Sequence, residues 1–469
     1  MIGEDVLYRT VTELGEDIRS RRLSPVELTQ GYLNRIDRYA EDLNAFATVT
    51  PEVALEQARA AEREISRGHY RGPLHGIPYG AKDLLATAGI PTTWGAAPTR
   101  DQMFDEDATV VRKLREAGAV LLGKLSMVEF AGCLGYRDAG ASLQGPGRNP
   151  WNVERWTGGS SSGSGAAVAA GLVGFAIGTE TWGSILCPSA FCGITGLRPT
   201  YGRVSRAGGM VGSWTLDKIG PLARSASDCR LILRAIAGPD PRDLTASDEP
   251  VKLDRRKPDF GRLRAALIPT DFAKTPGAEP EVGAAFDAAV GTLRSMGLRI
   301  ETAALPDMPA SELTTAILYA EAMSAFEPFF QNGSVRELHD PYARYQVEVT
   351  AELTGADYLK ASRMRTVLQE RMAQFFGTYD VIVATNFLSV APSIHEDFTK
   401  TLPYPDPVGA VGNGCGLPAI ALPCGHGRGG LPASFQLMGS AFDEGLLLDL
   451  GEAYQATTRH HLDHPPVGA

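Results

Sequence analysis

Three short stretches of this 469-residue chain carry residue types suited to chemistry. The densest is GGSSSGSGAAVAAG, Gly158 to Gly171, with four serines set among glycines. A flexible Gly/Ser linker stays solvated and continues into polar sequence. Here Ser164 leads straight into GAAVAAGLVGFAIGT, which reads as an alanine-rich helix followed by an apolar strand. The glycines and serines therefore fall where backbone N–H groups gather at a helix start, a place that favours negative charge. Gly159-Ser160-Ser161-Ser162-Gly163 also fits G-x-S-x-G, the nucleophile elbow of α/β-hydrolases. An elbow needs an apolar strand before it, whereas NPWNVERWTGG is polar and turn-like. It also needs a downstream acid and histidine, for which the chain offers only the scattered His339, His395 and His426. The second stretch, GPLHGIPYGAKD, brings Lys82 out of glycines, prolines and small residues; the third, IGTETWGSILCPSAFCGITGLRPTYGRVS, presents Ser184 in a turn after a strand. Ser160 and Ser184 are 184 − 160 = 24 residues apart.

The elements that must position these residues alternate between helix and strand. LSPVELTQGYLNRIDRYA predicts a helix, with Ser24 as N-cap, Pro25 at the first position, Glu27 closing a capping box, and Leu28, Tyr32 and Ile36 on one apolar face. PEVALEQARAAEREISRG predicts another that stops at Gly68, so residues 1–70 are expected to form a helical layer without chemistry of its own. DATVVRKLREAGAVLLGK gives a helix, a stop at Gly118 and a short strand from Ala119 to Leu122. SASDCRLILRAIAG and PEVGAAFDAAVGTLRSMG predict helices, and RLRAALIP, YDVIVAT and PAIALPCG predict strands. Such alternation is expected of an α/β protein built on a large sheet. No internal repeat or long polar linker divides the chain, although Gly238 to Arg262 is charged and loop-like, so residues 1–469 are expected to form one domain. Residues 308–376 are helix-rich and aromatic and are expected to form a substrate-facing region.

The bulk composition narrows the class of function. Apolar residues make up 43% and charged residues 21%, and no apolar run approaches the length of a membrane span. A net charge of −10 leaves no basic excess for a dedicated nucleic-acid surface. The acidic N-terminal sequence lacks the zones of a secretory signal, which predicts a cytoplasmic protein. The six cysteines contain no close CxxC pair and are expected to be buried thiols. His460, His461 and His464 have no carboxylate placed as on a metalloprotease helix and are expected to cap or trail the fold.

Lys82, Ser160 and Ser184, with their surroundings and in this order, resemble the amidase signature family. The resemblance extends from the helix near Ser24 through GKLSMVEFA and TGLRPTYGRVSRAG to GLPASFQLMGSAFDEGLLL, about nine-tenths of the chain. It implies a large mixed central β-sheet surrounded by helices, with the site at one edge, and hydrolysis of a carboxylic acid amide C–N bond. Carried over by motif, Lys82 is the base, Ser160 a bridging serine in a cis peptide, and Ser184 the nucleophile. The backbone of Thr181, Trp182, Gly183 and Ser184 supplies the oxyanion hole, and Trp182, Gly158 and Gly159 touch substrate. No metal, nucleotide or redox cofactor is implied. The implied partners are a small-molecule amide and a second copy of the chain in a homodimer, without nucleic acid or membrane. A serine hydroxyl is a poor nucleophile until its proton is removed, and a neutral amine can remove it. An ordinary lysine titrates near 10.4, so burial must lower Lys82 by roughly three units. Asp83 beside it would oppose that shift and is expected to turn toward another partner. The family pattern has glycine at Trp182, aspartate at Glu180 and arginine at Leu186.

Two other functions stay open. NPW, YGRVSR and the length also resemble the glutaminase subunit of aminoacyl-tRNA amidotransferase, which hands ammonia to a partner; Arg344 and Asp406 fall roughly where it would hold the amino acid part of glutamine. A non-catalytic binding or scaffold protein that kept the fold is the alternative of a different class.

Overall fold

The computed structural model describes residues 2–255, 259–340, 352–401 and 406–467. Thirteen strands are described: β1 (Phe46–Val49), β2 (Pro78–Lys82), β3 (Val120–Leu125), β4 (Arg148–Asn149), β5 (Asn152–Trp156), β6 (Phe175–Glu180), β7 (Thr195–Arg198), β8 (Lys218–Ala223), β9 (Arg264–Leu267), β10 (Arg299–Thr302), β11 (Val381–Thr385), β12 (Ala419–His426) and β13 (Pro432–Gly439). Eleven of them form one mixed sheet in the order β1-β3-β2-β6-β8-β7-β12-β13-β11-β9-β10, and β4 and β5 pair separately. The chain thus has the expected mixed α/β fold.

The central strands β2, β3, β6, β7 and β8 are buried along their whole length, as strands covered by helices on both faces must be. At one end of the sheet, β10 presents Arg299, Glu301 and Thr302 to solvent, and charge along an edge blocks further strand pairing. β2 runs parallel to both β3 and β6, whereas β8 runs antiparallel to β6 and β7. This brings the C-terminal ends of β2 and β6, with Lys82 and Glu180, to the same side of the sheet. They gather where parallel strands end, the usual location of ligand sites in open α/β sheets.

Helices α2 (Pro25–Leu43) and α3 (Pro51–Ser66) pack on β2 and β3 near one end of the sheet, and α1 (Val11–Arg19) packs on the helix Ala226–Ile236. They are not purely a helical layer. Between α2 and α3, Phe46–Val49 forms edge strand β1 on β3, a four-residue element too short for its alternation to stand out in sequence. The capping box expected at Ser24 is also incomplete. Ser24 Oγ accepts from the N–H of Val26 and Glu27, but its own proton goes to Glu62 on α3, which ties the two helices together in place of a return contact from Glu27. Helix α4 (Thr109–Glu116) ends before Gly118, whose φ of +82° suits glycine, and the following strand runs to Leu125, three residues beyond the expected limit. It passes through Lys124, whose charge is met inside the protein.

Candidate functional site

Gly158 to Gly171 is buried throughout, the opposite of a solvated linker. Its second half forms helix α5 (Ser162–Ala169). The first half is stitched into two neighbours: Val128 N–H donates to Ser160 O at 3.1 Å, and Gly163 N–H donates to Ser126 O at 2.9 Å. On the other side, Ser161 N–H donates to Ser184 O at 3.3 Å, and Ser161 Oγ donates to Thr179 O at 3.2 Å. The Gly159–Ser160 peptide is cis. The chain leaves the first serine stretch through α5 and returns along β6, and this path places the two serine stretches side by side.

Lys82 closes β2 with no exposed surface. Its Nζ lies 2.8 Å from Ser160 Oγ and 2.9 Å from Thr179 Oγ1, and these hydroxyls are its hydrogen-bond partners. Burial lowers its pKa from 10.5 to about 7, against weaker upward pulls from Cys133, Asp217 and Glu180. Asp83, next in the chain and already in the turn that follows β2, is directed away from the serines as expected. Its carboxylate accepts from Thr93 N–H and Thr93 Oγ1 and lies 3.3 Å from Lys124 Nζ, which also donates to Thr92 Oγ1 at 2.6 Å. Burial pushes the Asp83 carboxyl up and the Lys124 amine down, each opposed by the other's charge.

Ser184 sits on the turn between β6 and helix α6 (Leu186–Cys192), 7% exposed. Two carboxylates brace this turn. Glu180 Oε2 accepts from the N–H groups of Ile185 (2.9 Å) and Leu186 (3.0 Å) at the start of α6, where negative charge is favoured. Glu180 Oε1 accepts from Arg198 Nη1 at 2.8 Å, a fully buried ion pair. Burial would raise the Glu180 pKa, but Arg198 and then Lys218 outweigh it and hold it below the usual range. Asp217 accepts from Thr181 Oγ1 at 2.5 Å and from the N–H groups of Gly212 and Ser213. Among the described residues, no acceptor takes the N–H of Trp182, Gly183 or Ser184. Gly183 has φ +83°, and a Cβ there would meet nothing closer than Cys187 at 4.0 Å, so its face is open. The half-buried Trp182 lies against Gly409, beside Asp406. Gly158 and Gly159 have less room: a Cβ on the first would meet the backbone of Pro188, and on the second Val128 and Trp156.

The remaining sequence candidates lie apart from this cluster. His395 is exposed beside Glu154, His426 lies edge-on to Trp151, and the half-exposed His339 ring lies 3.5 Å from Glu129, so among the described residues none of the three bonds to a serine of the stretch. His464 stacks on Tyr8, and among the described residues no group of three or more metal-ligating side chains occurs. All six cysteines are free thiols, five of them buried. Asp406 is buried, with Oδ1 accepting from Gln436 Nε2 and Val408 N–H, and burial lifts its pKa to about 7. Arg344 lies outside the described residues. Thr179, Arg198, Asp217 and Lys218 escaped sequence reasoning because cross-strand register, not local spacing, brings them to the site.

Comparison with known proteins agrees with this architecture. The family model "Amidase" matches residues 27–448. The glutamyl-tRNA(Gln) amidotransferase A-type subunit of Methylococcus capsulatus is 38% identical over 97% of this chain and 98% of its own. The amidase-named protein AmiD of Mycobacterium bovis is 36% identical over 99% and 98%. The crystal structure of a peptide amidase from Stenotrophomonas maltophilia superposes with a TM-score of 0.84 at 31% identity, covering 98% of this chain and 99% of that one. The chain belongs to the Amidase family. Within that class it is a hydrolase acting on amide C–N bonds. Among the described residues no helix is long and apolar enough to cross a membrane.

Proposed function

We propose that the chain is a self-sufficient amidase that forms an acyl-enzyme on Ser184, with Lys82 as base and Ser160 as proton bridge. The observation that carries this is the buried Lys82 amine, bonded to two hydroxyls at 2.8 and 2.9 Å and, among the described residues, to no carboxylate. An amine with a pKa of about 7 is unprotonated in a large fraction of molecules at neutral pH, as a base must be. Its lone pair accepts the Ser160 proton while the Ser160 oxygen accepts that of Ser184. Ser184 Oγ then forms a bond to the amide carbon, and the carbonyl oxygen takes the negative charge. The open N–H groups of Trp182, Gly183 and Ser184 suit that oxyanion, for which one donor is worth about 3–4 kcal/mol. Collapse breaks the C–N bond, and the amine or ammonia leaves with a proton returned through Ser160. Water then adds to the acyl ester, yielding the acid and restoring Ser184. Esters enter the same cycle, since their leaving group needs less protonation.

A cavity of about 690 Å³ lined by Val211, Trp214, Met323, Ala325 and Tyr358 supports the reading of residues 308–376 as substrate-facing. Its Val211 wall continues into Gly212, which packs on Cys133 near Thr181. The test is turnover of a panel of aliphatic, aryl and peptide-like amides by the isolated chain, with intact-mass detection of a sulfonyl fluoride adduct on Ser184. Acid release and the adduct are expected; neither occurring would favour the scaffold. The glutaminase-subunit function is favoured by the 38% identity to the Methylococcus capsulatus amidotransferase protein over 98% of that protein. It requires ammonia release from glutamine only when partner subunits are added.

A further inference from the structure

Besides Lys82 and Lys124, a third lysine, Lys218, is buried close to the site, and the proton relay makes no use of it. It stands on β8 directly across from Glu180 on β6, on the same face of the sheet. Neither neighbouring carboxylate takes its hydrogen bonds. Glu180 spends its oxygens on Arg198, Ile185 and Leu186, and Asp217 spends its own on Thr181, Gly212 and Ser213. Lys218 Nζ instead donates to two backbone carbonyls, Leu216 O and, at 3.3 Å, Thr181 O. The charges facing it are mixed. Glu180 and Asp217 favour its protonation, Arg198 and Arg206 oppose it, and burial, the largest influence, brings it to about 7.

Thr181 C=O and Trp182 N–H are the two ends of one peptide group. A cation at the carbonyl end draws electron density toward oxygen and makes the N–H a stronger donor, as charge-assisted and chained hydrogen bonds are. We propose that protonated Lys218 is a positioning residue for the oxyanion loop, polarising the Thr181–Trp182 peptide so that Trp182 N–H binds the tetrahedral oxyanion more tightly. This rests on the acyl-enzyme on Ser184. It gives the reaction two opposed proton requirements: Lys82 must have lost its proton, while Lys218 must keep its own. Both groups lie near 7, so activity passes through a maximum close to that pH, rising as Lys82 deprotonates and falling as Lys218 does.

The experiment compares wild type, Lys218→Met and Lys218→Arg in hydrolysis of p-nitrophenyl butyrate across the pH range, with butanal as the inhibitor that forms a tetrahedral adduct. Lys218→Met is expected to lower kcat about tenfold, leave KM within about twofold, weaken butanal about tenfold and abolish the alkaline limb. Lys218→Arg, which stays charged, should restore most of kcat and carry the alkaline limb beyond the measured range, and it serves should Lys218→Met fail to fold. An unchanged alkaline limb in either variant, or a loss confined to KM, overturns the proposal. Wild type that neither turns over nor labels at Ser184 overturns the acyl-enzyme reading and this one with it; an active wild type with an insensitive Lys218→Met overturns this one alone.

Discussion

Lys82 and Lys124 lie on adjacent parallel strands of one sheet, one register step apart and both without exposed surface, yet their surroundings are opposite. Lys124 has a carboxylate at 3.3 Å and a threonine hydroxyl; Lys82 has two hydroxyls and, among the described residues, no carboxylate. The carboxylate nearest Lys82 in sequence, Asp83, belongs to Lys124. The difference shows how one fold gives one buried lysine a counter-charge and its neighbour only hydroxyls. Lys82 closes β2 facing the serines, and Asp83, in the turn just after it, faces the other lysine. An interior ion pair does little for stability relative to apolar packing, but losing one partner is costly. An unpaired interior lysine has no such partner, and its readiest response to burial is to give up its proton.

Removing each lysine in turn should separate these roles. The largest effect is expected from Lys82→Met, which should cut amide hydrolysis by about 10³-fold or more in initial-rate assays, as for loss of a relay member. The same variant should be more stable than wild type in acid. The folded-state pKa of Lys82, about 7, lies below the unfolded value of 10.5, so holding the charged amine destabilises the fold fully below pH 7. That cost fades as pH rises toward 10.5. Urea denaturation at pH 6 should therefore favour Lys82→Met by a margin on the order of a few kcal/mol, shrinking to nothing by about pH 10.5. Lys124→Met should show the reverse pattern, destabilised by about 3–5 kcal/mol because Asp83 is left buried and unpaired. Adding Asp83→Asn should recover most of that loss in the same denaturation assay.

Glu180→Gln tests the brace under Ser184. It keeps one acceptor for the α6 N–H groups but strands Arg198, and kcat is expected to fall about 10- to 100-fold with little change in KM. The smallest expected effects come from the threonines that serve each lysine. Thr179→Val should slow hydrolysis by about tenfold or less, while Thr92→Val should cost about 1 kcal/mol of stability and leave kcat unchanged. Equal effects of the two threonine variants on kcat would erase the distinction between the lysines.

Much of this arrangement was readable from residue order. Lys82, Ser160 and Ser184 each lie in a stretch whose small residues and turn chemistry set it apart, and the alternation of helices and strands announced the α/β sheet. The helix-start reading of Ser164 onward matches α5, since an alanine-rich run after glycine and serine has few other uses. What escaped depends on register. Lys218 reaches Thr181 because β8 pairs with β6 at Glu180, and Arg198 reaches Glu180 from a strand eighteen residues on. The strand expected from Ala119 to Leu122 stops two residues short of Lys124; a charge ordinarily marks the surface, and the partner that meets this one, Asp83, is forty-one residues away. β1 was hidden by its brevity and by the strong helices on either side.

The proton state of Lys82 is the point on which everything else turns, and the rate of Ser184 sulfonylation as a function of pH reads it directly, without a choice of amide substrate. In wild type the rate on the acid side should climb with pH along a single ionisation near 7, and Lys82→Met should label at Ser184 at a negligible rate. Labelling of Lys82→Met as fast as wild type, or a wild-type rate indifferent to pH from about 5 to 8, would contradict it.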